Sequence, residues 1–476
     1  MKYYQLYING EWVSSVSGNS YEVTNPATQE VVSKAAFGND RDAALAVEVA
    51  HAAFPSWSET PAKERSNILM KIYQLMMERK EELARTITIE MGKPIREARG
   101  EVQSAADYVQ WNAEEAKRAY GETIPSSFHN KRLLTIRQPV GPVGAITPWN
   151  FPLAMVTRKL TPALAAGCSV VLKPATQTPG CAAKLFQIAE EAGLPKGVAN
   201  LVMGSSSKIG QELLKNPKIR KITFTGSTEV GKLLMKDAAD QVKRVSMELG
   251  GHAPFIVFED ADLEAAVEGA IASKFRNAGQ TCICANRIYV QSSILEEFTS
   301  LFKEKVEKMV IGNGLEESTD IGPVIDEKGL VKIQEHVDDA LAKGAALVTG
   351  GKKCNFKAGT FYHPTILSQV TDEMLISTEE TFGPVAPIYS FDTEEEVIRK
   401  ANDTNYGLAA YFYTRDLSRA IRVYERLEYG MVGCNDPVPT TVQGPFGGWK
   451  ESGIGREGGP DGLHDFLETK FVSIKM

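Results

Sequence analysis

Between Asp42 and Lys117 apolar and charged residues alternate at helical spacing. In SNILMKIYQLMMERKEELARTI the Leu, Ile and Met positions oppose a face of Glu and Lys, the pattern of amphipathic helix. The texture changes at Pro139. PVGPVGAITPWNFP is rich in Pro and Gly, and the short apolar runs SVVLKP, ANLVMG, KITFTG and PFIVF follow, separated by helical stretches such as KLFQIAEEAG. Buried strands alternating with helices predict an α/β fold with a parallel sheet. A second pattern of the same kind runs from Gly251 to about Val432. At the N-terminus, YINGEWV predicts a hairpin turning on Asn9-Gly10. The segment Gly121–Arg137 and the final FVSIK read as strands without an obvious partner of their own. Exposed strand edges invite another chain, which predicts an oligomer.

Composition narrows the class. A chain of 476 residues implies two or three domains at about 150 residues each. Lys plus Arg total 53 against 60 Asp plus Glu, for a net charge of -7, which argues against a nucleic-acid binder. No run of 18 apolar residues predicts a membrane span, and MKYYQLYING lacks the apolar centre of a signal peptide. The six cysteines are scattered, so reduced thiols and a cytoplasmic protein are expected.

Two glycine motifs mislead. Gly453-Ile-Gly455-Arg-Glu-Gly458 has the GxGxxG spacing, but no apolar strand leads into it, so a tight surface turn is expected. Gly226-Ser-Thr-Glu-Val-Gly231-Lys232 resembles a nucleoside-triphosphate loop but continues with Leu233, where Mg²⁺ needs Ser or Thr. It remains a strand-to-helix turn whose free N–H groups suit a pyrophosphate. The six histidines share no close spacing, and Cys282-x-Cys284 lacks a second ligand pair, so no metal site is expected.

The chemistry concentrates in FRNAGQTCICANR, where a loop of small residues presents Cys282. Glu248 stands in MELGGHAP and Asn150 in TPWNFP. With INGEWV, PWNFP, FTGST, ELGG, GQTC, EETFGPV and PFGGWKESGIGRE in this order, the chain resembles the aldehyde dehydrogenases over essentially its whole length. These enzymes oxidise aldehydes to carboxylates with NAD or NADP.

The resemblance implies a Rossmann-like cofactor domain (1–118 and 140–250), an α/β catalytic domain (251–443) and a small β oligomerisation flap (119–139 and 444–476). It implies Cys282 as nucleophile and the Asn150 amide with the Cys282 N–H as oxyanion donors, each worth roughly 3–4 kcal/mol. Glu248 is then the general base that serves the thiol and later the hydrolytic water. The expected cofactor contacts are Ile146, Pro148, Trp149, Asn150, Lys173, Ala175, Thr176, Gly226, Ser227, Leu249, Glu380 and Phe382. Relatives that prefer NAD often carry Glu at position 176. Thr176 bears no charge to repel a 2′-phosphate, so NADP is expected to be accepted at least as well as NAD.

Within the family the resemblance is to the succinate-semialdehyde dehydrogenases. It implies a distal carboxylate held by Arg158 and Arg276, whose planar forks suit bidentate binding, and by Thr440 where that group carries Ser. NDPVPTTVQG departs from the group's usual loop, which leaves glutarate semialdehyde, lactaldehyde or a broad range of aliphatic aldehydes as alternatives. Cys284 is a candidate redox partner of Cys282, with an inert small residue as the other reading. A non-catalytic structural relative would lack one of Cys282, Glu248 and Asn150, and a CoA-acylating member generally lacks the glutamate. A homodimer or homotetramer is expected.

Overall fold

A computed structural model describes all residues, Met1–Met476. The charged and apolar stretch near the N-terminus forms four helices, Asp40–Glu59, Ala62–Glu78, Lys80–Met91 and Ile95–Glu115. No helix is long and apolar enough to cross a membrane.

The two strand-rich halves build two sheets wound alike. In the first, five parallel strands come in the chain order Val143–Ile146, Val170–Lys173, Ala199–Leu201, Lys221–Thr225 and Arg244–Glu248. In space the third, second, first, fourth and fifth lie side by side. This is the doubly wound order, which opens a crevice where the winding reverses, between the first and fourth strands. In the second sheet, Ala253–Val257, Ala285–Gln291, Val385–Phe391, Ala409–Tyr413 and Met431–Cys434 repeat that order. Thr365–Ser368 and the antiparallel edge strand Ala346–Thr349 extend it.

The hairpin on Asn9-Gly10 forms as expected. Tyr7 pairs with Trp12, and both turn residues have positive φ, 55° and 75°, the geometry that favours Asn-Gly. Leu6–Ile8 then joins the edge of the first sheet.

Three expectations need correcting. Lys131–Pro139 and Leu467–Lys475 are each other's partners, antiparallel from Leu467↔Pro139 to Lys475↔Lys131. No turn signal can announce a pairing between strands so far apart in sequence. Thr123–Ile124 completes this small sheet, and Leu467–Lys475 keeps one open edge with Phe471 and Ile474 exposed. Second, the segment 444–476 does not act as one unit, because Gly453–Ile454 pairs antiparallel with Met247–Glu248 at the edge of the first sheet. Third, the GxGxxG stretch is therefore not a surface turn. A Cβ on Gly453 (φ +144°) would lie 2.0 Å from the Met247 carbonyl oxygen, so this glycine serves a close backbone approach.

Candidate active site

The C-terminal ends of the first sheet's strands face the N-terminal ends of the second sheet's strands. Lys173 ends a strand of the first sheet, and Trp149, Gly226 and Leu249 follow others; Gly251, Cys282 and Phe382 precede strands of the second. The seam between the sheets therefore collects residues scattered from position 93 to position 457.

Cys282 is partly exposed and free, like the other five cysteines. Its loop is held in an unusual shape: Asn277, Ala278 and Gly279 have φ of 54°, 53° and 75°. Three successive left-handed residues cost backbone strain, most at Ala278, and a dense polar frame holds them. The Asn277 N–H donates to Glu97 Oε2 at 2.8 Å, and the Asn277 amide donates to the Asn150 and Gln280 carbonyls at 3.1 Å each. The Gln280 amide donates to the Asn277 carbonyl and accepts from the Ile325 N–H. The Asn150 side-chain amide donates to the Gln280 carbonyl at 3.0 Å, which ties PWNFP to the cysteine loop. Gly251 packs against the same loop, where a Cβ would lie 2.2 Å from the Cys282 carbonyl oxygen.

Burial disfavours the charged form of both reactive groups. Burial pushes the Cys282 thiol up to about 12, helped by the Glu380, Glu248 and Glu457 carboxylates and opposed by Arg158. Burial also raises the Glu248 carboxyl well above the usual range, and the Glu457 carboxylate raises it further. Neither Glu248 oxygen has a hydrogen-bond partner. Behind Glu248, Lys159 binds Glu457 and donates to Thr225 Oγ1.

A cavity of about 280 Å³ opens on Cys282, and Arg158, Arg276 and Thr440 line it too. Arg158 lies on the helix Ala154–Ala166, every residue of which is buried. Its guanidinium sits between the rings of Tyr108 and Phe446, at 4.6 and 4.4 Å. Its Nε and Nη1 are buried without hydrogen-bond partners, and the nearest carboxylate, Glu457, is 3.8 Å away. Arg276 lies 5.7 Å from the Phe151 ring centroid. The reading of these arginines as structural ion pairs therefore finds little support. A buried guanidinium with unbonded nitrogens and only a 3.8 Å ion pair to Glu457 is costly to fold, so it points to an anionic ligand.

Sequence reasoning passed over several groups around this cavity. Lys93, Glu97 and Glu101 line it. Lys93 pairs with Glu101 and donates to the Asn150 carbonyl at 3.0 Å. Glu101 Oε1 accepts the Leu153 and Ala154 N–H groups and so caps the helix that carries Arg158. The signal was available: Glu97, Gly100, Glu101 and Ser104 follow helical spacing and share one face. Lys159 and Glu457 left no such signal, because only tertiary folding brings them together.

Most of the expected cofactor residues lie at the C-terminal ends of the first sheet's strands, and Glu380 and Phe382 precede a strand of the second. Lys173 is buried and donates to Ser206 Oγ at 2.6 Å, and burial lowers its ammonium to about 8. Ser206 was not foreseen. Ala175 and Thr176 follow, with the Thr176 hydroxyl 3.3 Å from Gln177 Oε1. Ile146 ends the central strand ahead of Pro148 and Trp149. Gly226 and Ser227 form the turn into the helix Thr228–Ala239, which Ser227 caps. Trp149 meets Phe382 edge-on at 5.6 Å. Glu380 accepts the Gly251 N–H at 3.2 Å, its carboxyl raised to about 7 by burial. A buried cation beside a hydroxyl, a helix N-terminus and a carboxylate together fit the adenosine, phosphate and ribose groups of a dinucleotide. Cys284 is elsewhere: it is buried, and its Sγ donates to the Lys274 carbonyl at 3.4 Å.

Comparison with known proteins decides the family. The Aldehyde dehydrogenase family profile matches residues 12–472. The chain belongs to the aldehyde dehydrogenase family. It is 52% identical over 470 residues to a glutarate-semialdehyde dehydrogenase of Pseudomonas aeruginosa, covering 99% of this chain and 97% of the relative. Identity is also 52%, over the same shares of the two chains, to the succinate-semialdehyde dehydrogenase [NADP(+)] GabD of Escherichia coli. A 3-sulfolactaldehyde dehydrogenase of Pseudomonas putida is 52% identical, covering 99% of this chain and 96% of the relative. The crystal structure of an E. coli NADP-dependent enzyme superposes with a TM-score of 0.98 at 52% identity, covering 99% of this aldehyde dehydrogenase and 98% of the other chain. A Staphylococcus aureus betaine aldehyde dehydrogenase in complex with NAD⁺ gives 0.97 at 39% identity, covering 98% and 94%.

Proposed function

We propose that this aldehyde dehydrogenase oxidises a small aldehyde carrying a distal carboxylate, succinic or glutaric semialdehyde, to the dicarboxylate, and prefers NADP. The observation that carries this reading is that two guanidinium groups, one buried with unpaired nitrogens, share a cavity with the thiol of Cys282. The named substrates of the three relatives above all bear an anionic group away from the aldehyde, which is what such a cavity would select.

In this mechanism the substrate carboxylate binds Arg158 and Arg276, with the Thr440 hydroxyl donating a third bond. The aldehyde carbon is thereby held against Cys282 Sγ. Glu248 takes the thiol proton, and the thiolate attacks to form a thiohemiacetal. The Asn150 amide and the Cys282 N–H stabilise the oxyanion. A bound nicotinamide dinucleotide would supply the hydride acceptor that turns the thiohemiacetal into a thioester on Cys282. Lys173, Thr176, Gly226, Ser227, Leu249, Glu380 and Phe382 would hold it, with Ile146, Pro148, Trp149 and Ala175 along the crevice. Glu248, after passing the thiol proton to solvent, takes one from water; the water oxygen attacks the thioester carbonyl, and the C–S bond breaks to release the acid and return Cys282 as thiolate. Lys159 and Glu457 behind it set its proton affinity.

The cofactor domain in this reading comprises 1–118 and 140–250, and the catalytic domain 251–443. The open edge of Leu467–Lys475 supports a homodimer or homotetramer. Six unpaired thiols fit a reducing compartment such as the cytoplasm.

The test is the initial rate of nicotinamide reduction with succinic semialdehyde, glutaric semialdehyde and propanal, using NADP and NAD in parallel. A strong preference for the charged aldehydes that Arg276→Ala abolishes is expected. Equal or better rates with propanal would retire the carboxylate reading.

A further inference from the structure

We propose that Gly100 sets the chain length of the aldehyde, and that the space it leaves admits a semialdehyde at least one methylene longer than succinic semialdehyde. The inference rests on the carboxylate-clamp reading above and extends it to substrate length.

Gly100 lies in the interior of the helix Ile95–Glu115, where glycine is less favourable than alanine. Two ordinary reasons for a helical glycine are absent. Its φ is not positive, and a Cβ built on it would meet no atom within 4 Å, so neither backbone conformation nor packing demands it. Yet Gly100 lines the cavity that holds Cys282, Arg158 and Arg276. It also lines a larger outer pocket of about 540 Å³, and Ser104 and Thr440 are shared by both. Gly100 and Ser104, one helical turn apart, thus stand at the junction of the two spaces. Gly100 is exposed, and a side chain there would project into the open space at that junction, which hydrogen leaves free for substrate carbon. Arg158, buried with unpaired nitrogens in the same cavity, independently marks the space as ligand-binding.

The test compares kcat/KM of the wild type, Gly100→Ala and Gly100→Val at saturating NADP. Two substrate pairs are used: succinic with glutaric semialdehyde, and propanal with hexanal. One methylene in such a pocket discriminates by about 10–200-fold. Gly100→Val is expected to lower the glutaric value at least tenfold more than the succinic value, and hexanal more than propanal. Gly100→Ala should give a smaller shift in the same direction with an equal or higher Tm, which keeps the test informative if the valine variant folds poorly. Parallel losses at every length in both variants would overturn the proposal. If the wild type does not favour charged over uncharged aldehydes, the clamp reading fails instead, and the propanal–hexanal pair still reports on Gly100.

Discussion

Replacing Arg158 by methionine separates a functional cation from a structural one. The change keeps most of the apolar stem and removes the guanidinium from between Tyr108 and Phe446. Truncating one member of a buried charged hydrogen-bonded pair costs roughly 2–5 kcal/mol. A loss of about 3 kcal/mol in transition-state binding corresponds to roughly 150-fold in kcat/KM for succinic semialdehyde. Propanal makes no such contact and should change by less than about threefold. Stability should behave differently from activity. Nε and Nη1 have no hydrogen bond to lose, and Glu457 keeps its partner in Lys159. The attraction of the guanidinium to each ring, about 1–2 kcal/mol, disappears, but the cost of burying an unpaired charge is relieved at the same time. Thermal denaturation should therefore show little change in Tm. The assay is steady-state nicotinamide reduction with both aldehydes, alongside a melting curve on the same preparation. Equal losses for the two aldehydes, or a Tm lower by many degrees with activity otherwise retained, would refute the reasoning.

Three further outcomes are expected. The Glu248 carboxyl is raised, so its basic form is reached at higher pH than for an ordinary carboxylate and activity should climb as pH rises. Glu457→Gln removes a repelling charge, lowers that carboxyl and should move the acid limb of the kcat/KM profile to lower pH; an unmoved or raised limb would contradict it. Gly251→Ala places a Cβ against the Cys282 carbonyl. A displacement of about 1 Å at a reacting atom can cost ~100-fold, so kcat should collapse while the circular dichroism spectrum stays native, and full activity would show the loop yields freely. Thr176→Glu should raise the NAD-to-NADP ratio of kcat/KM by about a hundredfold, some 2.7 kcal/mol; an unchanged ratio would place the 2′-phosphate elsewhere.

What could be read from the chain alone follows the range of the physics. Asn9-Gly10 was legible because a type I′ turn is specified by the two residues that form it. The alternation of strands and helices was legible for the same local reason, although it could not reveal that two sheets repeat one winding. Arg158, Arg276, Thr440 and Cys282 could be named through family resemblance, and one cavity holds all four. The partners of Glu248 could not be read, since Glu457 reaches Lys159 across 298 positions. The left-handed turn was hidden for another reason. Asn277 and Gly279 tolerate positive φ, but Ala278 does not, and only the surrounding amides and the Glu97 carboxylate hold it there.

The late segments bear on how the protein comes to be active. Every parallel strand of the two large sheets has been synthesised by Cys434, so a chain emerging from the ribosome can fold them in turn. At that stage Glu248 has neither the Glu457 carboxylate behind it nor the Gly453–Ile454 strand beside it, and Ser452 has not yet bridged to the Gly250 carbonyl across 202 positions. Closing such distant contacts is slow compared with local folding. The contacts that complete the site therefore come from residues synthesised last, beyond Gly444. A nascent chain would carry the cysteine loop before its base is tuned, and the enzyme would gain activity only after its secondary structure is in place.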